Sequence, residues 1–245
     1  STPHAHNYMA VLLSWGSRTC GASLISPTAA ITAAHCLSIN DVSNGRYSLA
    51  IFRHNLHIPG SQDHYCAQFL SVTNAVNHPS YNSNNYIGDI AVLTFAPMNV
   101  PSCQTLAADA YPIIDPQTPP HDGEDALALG WGTTAYNAQD QTGTNPSQYL
   151  RQVTLPVHSD QLCHSRLPGY HSPQMTCAGV LTGGTDTCSG DSGGPLVLPT
   201  TSGRSRAVLI GVASWGYGCG IPNRPGVYTR VSYYRTWILT VANLN

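Results

Sequence analysis

Short apolar runs, each closed off by Gly, Pro, Asn or Ser, recur along almost the whole chain and leave room for little besides β-structure. Residues 8–13, 21–32, 47–52, 90–95, 127–129, 196–198 and 208–214 each read as a strand. The 22 glycines and 18 prolines are spread between these runs instead of clustering, which fits many turns and argues against a disordered tract. Helical periodicity is clear only at the end. There Tyr234, Trp237, Ile238, Val241 and Ala242 fall at i, i+3, i+4, i+7 and i+8 and form one apolar stripe. A shorter helix is expected over 159–167, capped by Ser159 or Asp160. Residues 107–125 are rich in Pro and acid and poor in strand signal. They read as a connector between two all-β halves, so the expected architecture is two barrels.

Charge narrows the function. Charged residues make up 9% of the chain and the net charge is -2, so there is no basic surface for nucleic acid. All ten basic residues are arginine. Compositional drift accounts for the missing lysine; fewer sites for trypsin-like cleavage is the sharper alternative. No apolar run approaches the roughly 18 residues that a membrane span needs. No signal peptide is visible at Ser1, so the chain reads as mature or trimmed. Eight cysteines (Cys20, Cys36, Cys66, Cys103, Cys163, Cys177, Cys188 and Cys219) contain no C-x-x-C pair. An even count of that kind points to disulfides and an oxidising compartment, with every pairing still open.

The most specific segment is Asp186-Thr187-Cys188-Ser189-Gly190-Asp191-Ser192-Gly193-Gly194-Pro195. A serine hydroxyl needs an adjacent base to act as a nucleophile at neutral pH. It also needs donors for the oxyanion that develops, and glycines let backbone N–H groups come close. Gly190-x-Ser192-x-Gly194 also fits the nucleophile elbow of α/β-hydrolases, which requires an acid and a histidine after the serine. The last histidine here is His171, so that order fails. The subtilisin order puts an acid before the histidine, yet no acid precedes Asp41. The order His, Asp, Ser remains. His35 lies in Thr32-Ala33-Ala34-His35-Cys36, where small neighbours and a bonded Cys36 would hold the imidazole. Asp89 enters the apolar run Asp89-Ile90-Ala91-Val92-Leu93, where a buried carboxylate needs a partner such as an imidazole N–H.

With Gly130-Trp131-Gly132, Ser214-Trp215-Gly216 and Pro225-Gly226-Val227-Tyr228, these motifs resemble the chymotrypsin/trypsin family of serine proteases over nearly the whole chain. The resemblance implies one peptidase domain over 1–245. It has two six-stranded antiparallel Greek-key barrels, at about 8–106 and 126–232, a C-terminal helix at about 233–243, and the active site between the barrels. It implies Ser192 as nucleophile, His35 as general base, Asp89 as the acid that orients it, and the N–H groups of Gly190 and Ser192 as the oxyanion hole. Asp186 would lie at the base of the primary pocket and select Arg or Lys. Gly216 and Gly226 would leave the walls open, and Thr187, Ser214 and Trp215 would also line the substrate site. Cys20–Cys36, Cys163–Cys177 and Cys188–Cys219 match pairs common in the family. Cys66 and Cys103 are left over and are expected to bond within the first barrel.

The function so implied is a secreted, extracellular, monomeric endopeptidase without cofactor or metal. Its partners would be Arg- or Lys-containing proteins or peptides, and protein protease inhibitors, with no nucleic acid and no membrane. A non-catalytic or zymogen-like binding protein on the same scaffold is the alternative. Two regions depart from the family. Active members begin with an apolar residue whose freed amine pairs with the acid before the nucleophile, here Asp191. This chain begins Ser1-Thr2-Pro3, from which Ser1 does not easily reach Asp191. A start lost or omitted is the favoured explanation; another cation serving Asp191, or a zymogen-like form, are the others. The second departure is the loop after Arg53, where some members bind calcium through acidic side chains. His54, His57, Asp63 and His64 include a single acid, which suits calcium poorly, and a histidine-rich surface loop is expected in place of a zinc site.

Overall fold

The computed structural model describes residues 1–38, 45–99, 101–114, 120–137, 142–200 and 205–244. Among them, β1 (Met9–Ser14), β2 (Ser17–Ser26), β3 (Ala29–Thr32), β4 (Tyr47–Ile51), β5 (Gln68–Asn77) and β6 (Ala91–Phe95) close an antiparallel barrel in the order β1-β2-β3-β6-β5-β4. The run at 21–32 divides into β2 and β3 around Pro27 and Thr28, because Pro27 lacks the N–H that a continuous ladder would use. Exposure follows position. Residues 9–13 of β1 are buried throughout, whereas β5 alternates and turns one face to water. Two short helices accompany it: α1 (Gly60–Asp63) between β4 and β5, and α2 (Pro101–Ala110) after β6.

The second half contains β7 (Ile113–Ile114), β8 (Asp125–Gly130), β9 (Thr133–Asn137), β10 (Thr142–Pro146), β11 (Arg151–His158), α3 (Asp160–Arg166), β12 (Met175–Ala178), β13 (Pro195–Leu198), β14 (Val208–Trp215), β15 (Gly226–Arg230) and α4 (Val231–Val241). The strands β13-β8-β11-β12-β15-β14 close on themselves through the β13–β14 pairing and form the second barrel. The segment read as a connector is more ordered than its composition suggests. It holds the end of α2, and β7 pairs in parallel with the outer edge of β14. Residues 115–119 of it lie outside the described residues. Ser159 caps α3, its Oγ accepting the Leu162 N–H at 3.4 Å.

One apolar core fills the first barrel and continues to Trp131, Leu209, Val212, Tyr234 and Ile238 of the second half. A second surrounds Leu155, Leu196, Ile210 and Tyr228 inside the other barrel. Packing of this kind fixes the relative position of the barrels, and three hydrogen bonds sharpen it. Trp131 Nε1 donates to His54 O at 3.1 Å, Gly88 N to Tyr234 Oη at 3.1 Å, and Thr229 Oγ1 to Asp89 O at 2.7 Å. The disulfides are Cys20–Cys36, Cys66–Cys103, Cys163–Cys177 and Cys188–Cys219. Cys66–Cys103 ties α2 to the end of the loop that follows β4, and each bridge contributes roughly 2–4 kcal/mol. Among the described residues no helix is long and apolar enough to cross a membrane.

Candidate active site

Where the barrels meet, Asp89 belongs to the first and its donors come from both. It is fully buried. One carboxylate oxygen, Oδ1, accepts the His35 backbone N–H at 2.9 Å. The other, Oδ2, accepts His35 Nδ1 at 2.8 Å and Ser214 Oγ at 2.5 Å. An ionised carboxylate can only accept, so Nδ1 carries the proton and Nε2 is the free acceptor of the ring. His35 sits on the short 3-10 turn Ala34–Cys36 at the end of β3, and Cys36–Cys20 anchors that turn to β2. Tyr86 stands edge-on to the imidazole at 5.9 Å between centroids. The sequence reading placed Ser214 only against substrate; its hydroxyl holds Asp89.

Ser192 lies on the turn before β13, and its carbonyl accepts the Gly21 N–H at 2.8 Å. The next residue explains why only glycine fits. Gly193 has φ +76, and a Cβ there would stand 2.3 Å from Thr32 Oγ1 and 2.6 Å from Gly21 O. The loop is therefore wedged against the strand that leads to His35. Among the described residues the Ser192 hydroxyl makes no hydrogen bond to His35, and the N–H groups of Gly190 and Ser192 have no acceptor. Unliganded sites often hold the nucleophile loosely.

A cavity of about 290 Å³ opens beside Ser192, and its lining includes Asp186, Ser214, Trp215, Gly216 and Gly226. A Cβ on Gly226 would stand 3.2 Å from Asp186 Oδ1. Asp186 accepts the Thr187 N–H at 2.8 Å and the Gly220 N–H at 3.1 Å, and Thr187 Oγ1 pairs with Tyr228 Oη at 3.1 Å. Burial pushes the Asp186 carboxyl up to about 6 against the pull of those two N–H groups. Among the described residues no side-chain cation pairs with it. A larger cavity of about 510 Å³ adjoins this one, lined by Asp186, Asp191, Gly132, Tyr136 and Arg151. Tyr136 borders both cavities. It stands on the hairpin β9–β10, whose tip at 138–141 lies outside the described residues.

Asp191 accepts N–H bonds from Gly132 at 2.7 Å and Cys188 at 2.9 Å. Ser1 lies elsewhere, its amine on Leu150 O at 3.3 Å. The loop after Arg53 is filled by its own cation. Arg53 donates Nε to Asp63 Oδ2 at 3.2 Å and Nη2 to the carbonyls of Asn55 and Ile58 at 3.0 and 2.7 Å. His4, which the sequence reading did not single out, reaches Asp63 Oδ1 at 3.7 Å and packs on His64. His57 contributes a backbone N–H to Asn55 Oδ1. Among the described residues the imidazoles and Asp63 do not converge into a three-ligand cluster.

Comparison with known proteins agrees with this geometry. The profile of the Trypsin family matches residues 1–238. Coagulation factor XII of Cavia porcellus is 37% identical over 96% of this chain, which spans 38% of that longer protein. Trypsin-3 of Salmo salar is 35% identical over 98% of this chain and 89% of its own length, and trypsin of Sus scrofa 34% over 93% and 87%.

Proposed function

Because this chain belongs to the trypsin family and is a serine endopeptidase, we propose that it is secreted and cleaves peptide bonds after Arg or Lys, with Ser192, His35 and Asp89 as its catalytic residues. The observation that carries the specificity is the half-buried Asp186 carboxylate, without a side-chain cation among the described residues, in the lining of a pocket that opens beside Ser192. A guanidinium or ammonium entering there would find a charge-assisted partner in a largely dry site. Four disulfides support an oxidising destination.

In this reading the family's mechanism runs as follows. Ser192 Oγ attacks the scissile carbonyl carbon while its proton passes to His35 Nε2. The new oxyanion accepts from the N–H groups of Gly190 and Ser192, which have no other acceptor among the described residues. His35 then gives the proton to the leaving amine as the C–N bond breaks and the acyl-enzyme remains. Water repeats the sequence, frees the acid and restores the serine. Asp89 stabilises the imidazolium, and its second and third donors keep it fixed when His35 changes charge. Ser214, Trp215 and Gly216 would align the substrate backbone along the end of β14.

The test is hydrolysis of arginyl, lysyl and phenylalanyl amides together with labelling by an organophosphonate. Cleavage of the two basic substrates, exceeding the third by at least about 10³-fold, and one label on the peptide containing Ser192 are expected. A label elsewhere overturns the assignment of the nucleophile; equal rates on all three overturn the specificity.

A further inference from the structure

Asp89 is the middle residue of a three-residue turn, in which Ile90 N donates to Gly88 O at 2.7 Å. A single hydrogen bond closes such a turn, so its orientation is set by what holds its ends. Gly88 has φ +69, and a Cβ there would stand 2.9 Å from Ser80 C and Tyr81 N. The turn is therefore pressed against the backbone that precedes it, and glycine alone fits its first position. At the far end, Ile90 O accepts from His78 N at 3.0 Å.

The near end is held from the other half of the molecule. Gly88 N donates to Tyr234 Oη at 3.1 Å in a buried setting, and among the described residues it has no other acceptor. The carbonyl of the same peptide unit, Ile87 O, accepts Asn82 N at 2.9 Å. The phenol is thus one of two anchors on the unit that leads into the turn. Thr229 Oγ1 donates to Asp89 O at 2.7 Å. Thr229 and Tyr234 stand on one continuous stretch, where β15 passes into α4. Tyr234 is itself locked. It shares a face of α4 with Trp237, three residues on, and both rings meet His78 edge to face at 4.7 and 4.8 Å between centroids. The imidazole is tied in turn, its Nδ1 accepting the Ser80 N–H at 3.2 Å. The residue that closes the far end of the turn therefore fixes the ring that holds its near end.

We propose that Tyr234 is a positioning residue for Asp89: its hydroxyl oxygen fixes the entry of the turn and, through it, the carboxylate that orients His35. Its bearing on catalysis rests on the reading of His35 and Asp89 given above; its hold on the turn does not. The bonds from Asp89 Oδ2 to His35 Nδ1 and Ser214 Oγ, at 2.8 and 2.5 Å, need the backbone to present the side chain at one angle. With the phenol oxygen gone, the Gly88 N–H is buried without an acceptor, a penalty that the peptide escapes by pivoting about its remaining anchor at Ile87 O. That pivot tilts the turn, and the turn carries the carboxylate at its centre. A displacement of about 1 Å in a catalytic group is enough to cost about 10²-fold in rate. No residue of α4 lines the cavity beside Ser192 among the described residues, so the helix acts through the turn and not on the substrate.

The full chain is made as wild type, Tyr234→Phe and Tyr233→Phe. The first variant keeps the ring against His78 and removes only the oxygen. The second removes the hydroxyl of an exposed neighbour on the same helix, one that no part of the turn uses. Arginyl amide hydrolysis is normalised to the fraction that takes the organophosphonate at completion. In Tyr234→Phe kcat is expected to fall about tenfold with KM unchanged, and in Tyr233→Phe both should match wild type. The proton NMR signal of His35 Nδ1–H should move upfield in Tyr234→Phe alone, because a longer bond to the carboxylate deshields that proton less. Should Tyr234→Phe fail to fold, 3-fluorotyrosine at position 234, whose oxygen is a weaker acceptor, replaces it, and the same changes are expected at smaller size. An unchanged kcat, or a lower kcat with the Nδ1–H signal unmoved, overturns the proposal. A wild type that neither cleaves the amide nor takes the organophosphonate overturns the functional reading instead, and the Nδ1–H signal still decides the role of Tyr234.

Discussion

Asp63 and Asp186 are alike in most respects. Asp63 closes the single turn of α1 and Asp186 stands on a loop, but each is largely withdrawn from water, and each accepts two backbone N–H bonds: His54 and Asn55 at Asp63, Thr187 and Gly220 at Asp186. They differ in the next partner. Asp63 has the guanidinium of Arg53, buried with it and held by two carbonyls of the same loop. Asp186 faces a cavity. A loop that brings its own cation has used its acceptor to fold. A pocket that leaves a carboxylate without one keeps that acceptor for whatever enters, at the expense of a carboxyl pushed up to about 6. The first arrangement reads as structural and the second as a binding site, although the residue type is the same.

Substitutions should separate the two, and the largest effect belongs to the pocket. Asp186→Ser removes the charge that a basic side chain would meet. The ratio of kcat/KM for arginyl over phenylalanyl amides is expected to fall by about 10³-fold or more, because a buried cation would then have no counterpart. The folded structure should survive, since the pocket contributes no ion pair. An unchanged ratio would mean that Asp186 is structural after all and that the contrast with Asp63 is false.

The converse change is Arg53→Met, which strands Asp63. Breaking a buried pair from one side costs about 3–5 kcal/mol. A urea titration should show that loss, while the amidase activity of the folded fraction stays near wild type because, among the described residues, Arg53 and Asp63 make no bond to Ser192, His35 or Asp89. Arg53→Met combined with Asp63→Leu should recover most of the stability, since no charge is then left unpaired. A chelator should leave the wild type unmoved, because the guanidinium already occupies the loop. If the double variant is as unstable as the single, packing of the Arg53 stem and not charge pairing holds the loop.

Much of the pocket was legible in the sequence, whereas the loop was not. Asp89 and Ser192 stand in short motifs whose neighbours signal burial and backbone approach, and Asp186 followed only from the family resemblance that those motifs carry. Arg53 and Asp63 are ten residues apart in a histidine-rich stretch, where spacing alone suggests ligands before it suggests an ion pair. The helix α2 did leave a signal. Pro101 opens it and Ala107, Ala108 and Ala110 close it, a proline-first, alanine-rich pattern that favours helix but was hidden by the proline-rich connector beyond. The two barrels followed from the turn-bounded runs. The attachment of β7 to β14 did not, because a two-residue strand is too short to show a period.

The smallest effect tests the pocket without altering it. A raised carboxyl still gains a proton as pH falls, and a cation binds only the ionised form. Taking Asp186 at about 6, roughly a tenth of it is ionised at pH 5 against nearly all at pH 7. The affinity of a small amidinium such as benzamidine should therefore fall about tenfold between pH 7 and pH 5. The sign of the linked proton follows. A bound cation draws the carboxyl down, so binding near pH 5.5 releases a proton, and the calorimetric enthalpy should change with the ionisation enthalpy of the buffer. At pH 8 that dependence should vanish. Proton uptake in place of release would mean that the ligand meets a group which must become charged to hold it, and the bare carboxylate would no longer explain what the pocket selects.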